Sequence, residues 1–333
     1  MDIVVTTIFP PTKGMYELAD GLSRADDGTL WVVGDVKGPF EYPLDRVKFF
    51  PIGEQRKLPF SLVELLPEKH YTRKNLGYLL AIQAGAPVIV ETDDDNIPLT
   101  DFWKTRGAQA SCDTVRHSGW VNVYRYFSPE FIWPRGFPLE NLQDEIPGIS
   151  SSRETRAAYI HQGLADQNPD VDAVYRLTRP LPISFVRDRD PLFLEQGAWC
   201  PFNSQNTTFF PPAYPLLYLP SHCSFRMTDI WRSFVAQKCL WAMGSGVLFH
   251  CSTVYQERNE HSLLRDFSDE ISGYLKNAEI CRILSAVTLD PGLDTAVVCA
   301  NLKRCYSALI EGGIFPEIEM ELLDRWCTDL SGL

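Results

Sequence analysis

Val88-Ile89-Val90-Glu91-Thr92-Asp93-Asp94-Asp95-Asn96 decides how the rest of the chain is read. An apolar run of strand length stops abruptly at three consecutive carboxylates. Carboxylates this close repel one another and stay ionised only beside a cation or in full solvation. In open α/β sheets, ligands bind just beyond the carboxyl ends of the strands, where this cluster falls. A hard divalent ion, Mn²⁺ or Mg²⁺, takes oxygen ligands and bridges to phosphate. Asp93 and Asp95 have the i, i+2 spacing of a D-x-D site holding such an ion and a nucleoside diphosphate. Acidic surface turns share this composition, so the surrounding segments carry the weight.

Working outward, residues 1–96 alternate strand-like and helix-like segments. Ile3–Thr7, Leu30–Val33, Val47–Phe50 and Pro87–Glu91 read as strands. Met15–Leu22 and Thr72–Gln83 read as helices, the second closed by Gly85. This alternation implies β-α-β units and a mostly parallel sheet flanked by helices. From Asp101 to about Phe225 the pattern breaks into Pro- and Gly-rich loops, with strands expected at Trp120–Tyr126 and Ala173–Leu177. Their many Trp, Phe and Tyr residues argue for function over disorder. Thr228 is placed to cap a buried helix from Asp229 to Met243, and Val247–Phe249 is a strand ending at His250. Three helices follow, near 268–286, 294–311 and 317–329. The expected organisation is a catalytic unit over 1–265, with a nucleotide-binding half (1–100) and an acceptor-binding half (101–265). Residues 266–333 form a helical extension.

The 333 residues carry a net charge of −12, which excludes a broad nucleic-acid-binding face. No apolar run reaches membrane-span length, and no basic leader precedes Ile3. The nine cysteines are odd in number and lack any C-x-x-C pair, so they read as reduced thiols in a cytoplasmic chain.

Candidate site residues follow from these placements. Asp93 and Asp95 are the metal ligands, with His250 as an imidazole ligand or a structural histidine. Thr7, Asp35, Lys37, Arg73, Asp93 and Asp94 are the donor-binding set. Asp35 either meets a base or ribose or opens a turn. Arg73 and Lys74 begin a helix, where cations oppose the macrodipole and need compensation by a diphosphate or by Asp94. Asp229 is the candidate general base for an acceptor hydroxyl, or a first-turn acid that complements its helix. Trp133, Arg135, Asn203 and Gln205 are the acceptor-binding candidates, the two amides serving sugar hydroxyls or their own loop.

Five segments in order resemble the STELLO-type glycosyltransferase family. They are Arg73–Gln83, Trp133-Pro134-Arg135-Gly136-Phe137-Pro138-Leu139-Glu140, Asp170–Arg179, Phe202–Thr207 and Ser224–Arg232. The resemblance implies a GT-A fold and sugar transfer from a nucleoside-diphosphate donor, most simply UDP-linked, to a glycan or other hydroxyl. It carries over directly to Asp93 and Asp94, whereas the family pattern differs at Asp95 and Asn96. Plant members are anchored Golgi proteins, and no anchor is seen here. An inverting transfer with Asp229 as base is the first expectation. The alternatives are a non-catalytic nucleotide-sugar-binding factor and a nucleotide-sugar mutase. The expected partners are donor and acceptor alone, and a homodimer is compatible with them.

Overall fold

The computed structural model describes residues 1–257 and 262–333. Its strands are β1 (Asp2–Thr6), β2 (Leu30–Val33), β3 (Val47–Phe50), β4 (Ile89–Thr92), β5 (Asn96–Pro98), β6 (Gln109–Val115), β7 (Gly119–Trp120), β8 (Glu154–Ala157), β9 (Ile160–Asp166), β10 (Leu192–Leu194), β11 (Ala198–Trp199), β12 (Asn206–Phe209) and β13 (Val247–Gln256). Its helices are α1 (Lys13–Ala25), α2 (Ile52–Gln55), α3 (Lys74–Gln83), α4 (Tyr124–Phe127), α5 (Ala173–Thr178), α6 (Thr228–Ala242), α7 (Leu263–Ala286), α8 (Thr295–Glu311) and α9 (Ile318–Ser331).

The main sheet runs β3-β2-β1-β4-β12-β9-β13-β10-β6-β8, and β5 pairs with the far end of β13. Its first four strands are all parallel, with Val4 opposite both Trp31 and Glu91. Strand β2 and the Ile3–Val5 run of β1 are apolar and buried on both faces, as strands covered on both sides must be. Beyond β4 the sheet is mixed: β12 is antiparallel to β4 and β9, while β9 and β13 are parallel. This is the α/β, GT-A-like layout that the resemblance implied.

Local chemistry explains where elements start and stop. The Thr12 hydroxyl accepts from Met15 N at 3.3 Å and caps α1. Gly85, at φ +78°, closes α3, with its N–H on Ile82 O and that of Ala86 on Ala81 O. Helix α6 is sheathed on nearly every side; Ile230, Phe234, Val235 and Leu240 are each at most 1% exposed. Each such burial stabilises by about 1.5–3 kcal/mol.

Two expected strands are corrected. Ala173–Leu177 is helix α5, because the Asp172 carboxylate accepts from Tyr175 N at 2.7 Å and nucleates a turn. Trp120–Tyr126 holds only the two-residue strand β7 before the chain coils into α4. Thr228 is inside α6 rather than capping it, and β13 runs on from Val247 to Gln256, past His250.

The last helix fastens the parallel half. Glu319, fully buried, accepts from Tyr218 Oη at 2.5 Å, His222 N at 2.9 Å and His222 Nδ1 at 2.7 Å. Asp329 accepts from Ser61 N and Leu62 N at 2.8 and 2.9 Å. Residues of α6, α8 and α9 share one apolar core with β4 and β12. Among the described residues, no helix is long and apolar enough to cross a membrane.

Candidate functional site

The acidic run forms a tight turn between β4 and β5, closed by Asn96 N on Asp93 O at 3.3 Å. The Asn96 amide donates to Thr92 Oγ1 at 3.1 Å and to Gln205 O at 2.7 Å, tying the turn to the loop before β12. Each carboxylate meets a different neighbour. Asp93 accepts from Tyr71 Oη at 3.3 Å and lies 3.8 Å from Lys74 Nζ. Asp94 accepts from the Thr7 hydroxyl at the end of β1. Asp95 accepts from Gln256 Nε2 at 3.0 Å, at the end of β13.

The turn opens into a cavity of about 520 Å³ at the carboxyl ends of β1, β2 and β4. One third (33%) of the Asp93 side chain is exposed, and it faces this cavity. Burial raises Asp93 to about 7, with Lys74 pulling it down and Asp95 and Asp94 pushing it up. Burial also raises Asp94 to about 6, against the Thr7 hydrogen bond. Lys74 is itself fully buried, which pushes its ammonium down, and it is held by Tyr71 Oη and Thr92 O at 2.8 and 2.9 Å.

The structure brings most of the sequence-derived candidates to this cavity. Thr7, Asp35 and Lys37 line it from the β1 and β2 ends, and Arg135, Gln205 and Asp229 from the opposite side. Asp35 has a structural duty as well. It accepts from Val36 N at 2.7 Å and from Lys69 N and His70 N at 2.9 Å, so it orders the 69–71 segment.

Four candidates lie elsewhere. Arg73 is buried, donating to Gln55 Oε1 and to Leu66 O at 3.1 Å; it pins loops behind the site, and Lys74 takes its place beside the carboxylates. Trp133 is a core residue whose indole donates to Asp172 at 2.7 Å. Asn203 holds its own loop, accepting from Gln205 N at 3.0 Å and Gln162 Nε2 at 3.2 Å. His250 precedes Gln256 by six strand residues, on the order of 20 Å. Its ring lies against Gly163 and its Nδ1 is 2.9 Å from Cys251 O. Burial lowers it to about 4, so it is a neutral strand histidine away from the acidic turn.

Asp229 also departs from its expected role. Arg135 grips it with two parallel bonds of 3.0 and 2.9 Å, and grips Asp170 with two more of 2.8 Å. Ser204 N and Oγ at 3.2 and 3.1 Å, and Ile230 N at 3.0 Å, complete the shell around Asp229. Burial would raise this carboxyl, but the Arg135 charge and hydrogen bonds override it and hold it at about 2. A carboxylate so well satisfied is a weak proton acceptor at neutral pH. Asp229 anchors Arg135 and the loop at Ser204.

The site includes residues that sequence reasoning passed over. Tyr71 bridges Lys74, Asp93 and Ser204, with its hydroxyl 2.6 Å from Ser204 Oγ. Phe225, Arg226 and Gln256 also line the cavity. The polar run His70–Lys74 ahead of an apolar helix was the available signal for Tyr71; no pattern marks Gln256. Among the described residues, no three His, Cys, Asp or Glu side chains converge on one metal-sized point.

Comparisons with known proteins agree with this picture. The family model for STELLO glycosyltransferases matches residues 226–333. The chain is 28% identical to Probable glycosyltransferase STELLO2 of Arabidopsis thaliana over 96% of its length and 43% of that protein's. It is 30% identical to Probable glycosyltransferase STELLO1 of Arabidopsis thaliana over 76% of its length and 35% of that protein's. It thus spans less than half the length of these relatives. With the ordered motifs and the GT-A-like sheet, these matches support a STELLO-type glycosyltransferase family for this chain.

Proposed function

We propose that the chain transfers a sugar from a nucleoside-diphosphate donor, UDP-linked in the first instance, to a hydroxyl of a glycan or similar acceptor. The observation that carries this reading is the Asp93–Asp95 turn: three consecutive carboxylates lining a cavity of about 520 Å³, beyond the parallel strands. Mg²⁺ is commonly held by one or two carboxylates plus substrate phosphates rather than by a full protein cage. The turn fits that pattern for Mn²⁺ or Mg²⁺, with Asp93 and Asp95 as ligands and the diphosphate completing the shell. When bound, such a cation neutralises charge on the departing diphosphate.

The chain's own residues do the rest. Thr7 fixes Asp94, Gln256 fixes Asp95, and Tyr71 with Lys74 fixes Asp93. Lys37 and the loops after β1 and β2 face the nucleotide side. Arg135, held between Asp170 and Asp229, sets the opposite wall.

Calorimetric titration of UDP with Mn²⁺, repeated in EDTA, tests the proposal. Metal-dependent heat that vanishes in Asp93→Ala is expected; equal binding in EDTA would sink it. The locked state of Asp229 favours one rival, a nucleotide-sugar-binding protein without turnover. Release of free sugar from a UDP-sugar panel separates the two, since a pure binder releases none.

A further inference from the structure

The acceptor wall lacks the aromatic that Trp133 was expected to supply, because that indole is in the core. Another ring occupies the wall. Phe225 lines the cavity just ahead of α6 and is 57% exposed. A lone exposed apolar residue is ordinary, but the backbone around this one is unusually well held. The Ser224 hydroxyl donates to Asp269 O, and the Arg226 guanidinium donates to Glu270 at 2.9 and 2.7 Å. Arg226 O accepts from Arg135, and Met227 N donates to Ser224 O at 2.8 Å. The ring meets Tyr71 edge to face, with centroids 5.9 Å apart and planes at 77°. Tyr71 in turn donates to Asp93. Phe225 is therefore one aromatic contact away from the acidic turn.

Sheet order assigns it a side. Ile8, Phe9 and Val36 enter the cavity from the loops after β1 and β2. Phe225, Ser204 and Gln205 enter from the approaches to α6 and β12, across β4. On the transferase reading, the first group is assigned to the donor's nucleotide and the second to whatever receives the sugar.

We infer that Phe225 is a stacking platform for a pyranose ring of the acceptor, which makes the acceptor a carbohydrate rather than a peptide or lipid hydroxyl. Resting on the transferase reading, the inference follows from complementary chemistry. The negative face of an aromatic ring attracts the polarised C–H face of a pyranose, and Gln205 and Ser204 beside it offer an amide and a hydroxyl for the sugar's polar edge. Pockets of this kind combine an apolar surface with a few placed polar groups.

The test uses saturation-transfer NMR on the full chain with UDP and Mn²⁺ present. The probes are the methyl β-pyranosides of glucose, galactose and xylose. We expect saturation on ring C–H protons for at least one probe, about tenfold weaker binding in Phe225→Ala, and recovery in Phe225→Trp. Melting temperature stays unchanged in Phe225→Ala, because this residue is 57% exposed, so a lost signal reports the ring and not the fold. Absence of a signal from every probe with wild-type protein, or a signal indifferent to Phe225→Ala, overturns the inference. Loss of Mn²⁺-dependent UDP heat in the wild type would instead remove the transferase reading, so the two failures are distinguishable.

Discussion

Glu91 and Asp93 are two residues apart on one strand and its exit turn, yet their surroundings are opposite. Glu91 is fully buried, takes two bonds of 2.9 and 2.6 Å from Arg232, and accepts from the Tyr78 hydroxyl. Asp93 faces a cavity with two more carboxylates next to it in the chain and one buried ammonium at 3.8 Å. The first carboxylate is matched within the fold and locks β4 to α3 and α6. Among the described residues the second has one ammonium, at 3.8 Å, and no guanidinium bonded to it, which is why it is the one proposed as a ligand. A strand can thus carry a structural acid inside and a functional acid at its tip, the difference set by whether a guanidinium reaches it.

The sharpest way to break this contrast is to unmatch the first pair. Glu91→Gln leaves Arg232 charged and buried without its counter-ion. A loss of about 3–5 kcal/mol in urea unfolding is expected; a loss below 1 kcal/mol would mean that water or Tyr78 already shares the charge. Asp93→Asn should act in reverse. Nucleotide affinity in Mn²⁺ should fall by more than about tenfold while the melting temperature stays level or rises, as calorimetry and thermal scans would show. A clear drop in melting temperature would make Asp93 a strut like Glu91.

The pH dependence sharpens the same distinction. Asp93 and Asp94 sit at about 7 and about 6, above their unfolded value near 4. The folded state therefore binds more protons than the unfolded state, and this contribution is complete below about pH 4. It is lost as pH rises through 6 to 7. Melting temperature in EDTA should decline over that window, less steeply in Asp93→Asn, and saturating Mn²⁺ should flatten the decline. The smallest effect is expected from Ser204→Ala, which removes one hydroxyl shared by Asp229 and Tyr71. About 1 kcal/mol of stability is at stake, read from the urea midpoint, with little change in UDP affinity.

The parallel half was legible because its signals are local. Apolar runs at 3–5, 30–33 and 88–91 have strand length, and Gly85 supplies the left-handed residue that a helix end needs. Asp93–Asp95 and Thr7 line the cavity, where the rule that ligands sit beyond strand ends places them. The misses arose where one distant partner decided the outcome. The β-branched and aromatic residues of 173–177 suggested a strand until Asp172 capped a helix. One residue of displacement at the start of α3 sends Arg73 to the Leu66 carbonyl and Lys74 to Asp93. Asp229 looked like a free base because its partner, Arg135, is 94 residues earlier in the chain. His250 looked like the end of a strand that in fact continues to Gln256.

The Asp329 clamp has a consequence for synthesis on the ribosome. Ser61 and Leu62, in the nucleotide-side half, receive their acceptor 268 and 267 residues later in the chain. The 61–62 amides are without that acceptor until the aspartate has cleared the exit tunnel, 267 residues of synthesis after Leu62. A ribosome stalled in α8 should display this segment to proteases and chaperones, and release of residue 329 should close it.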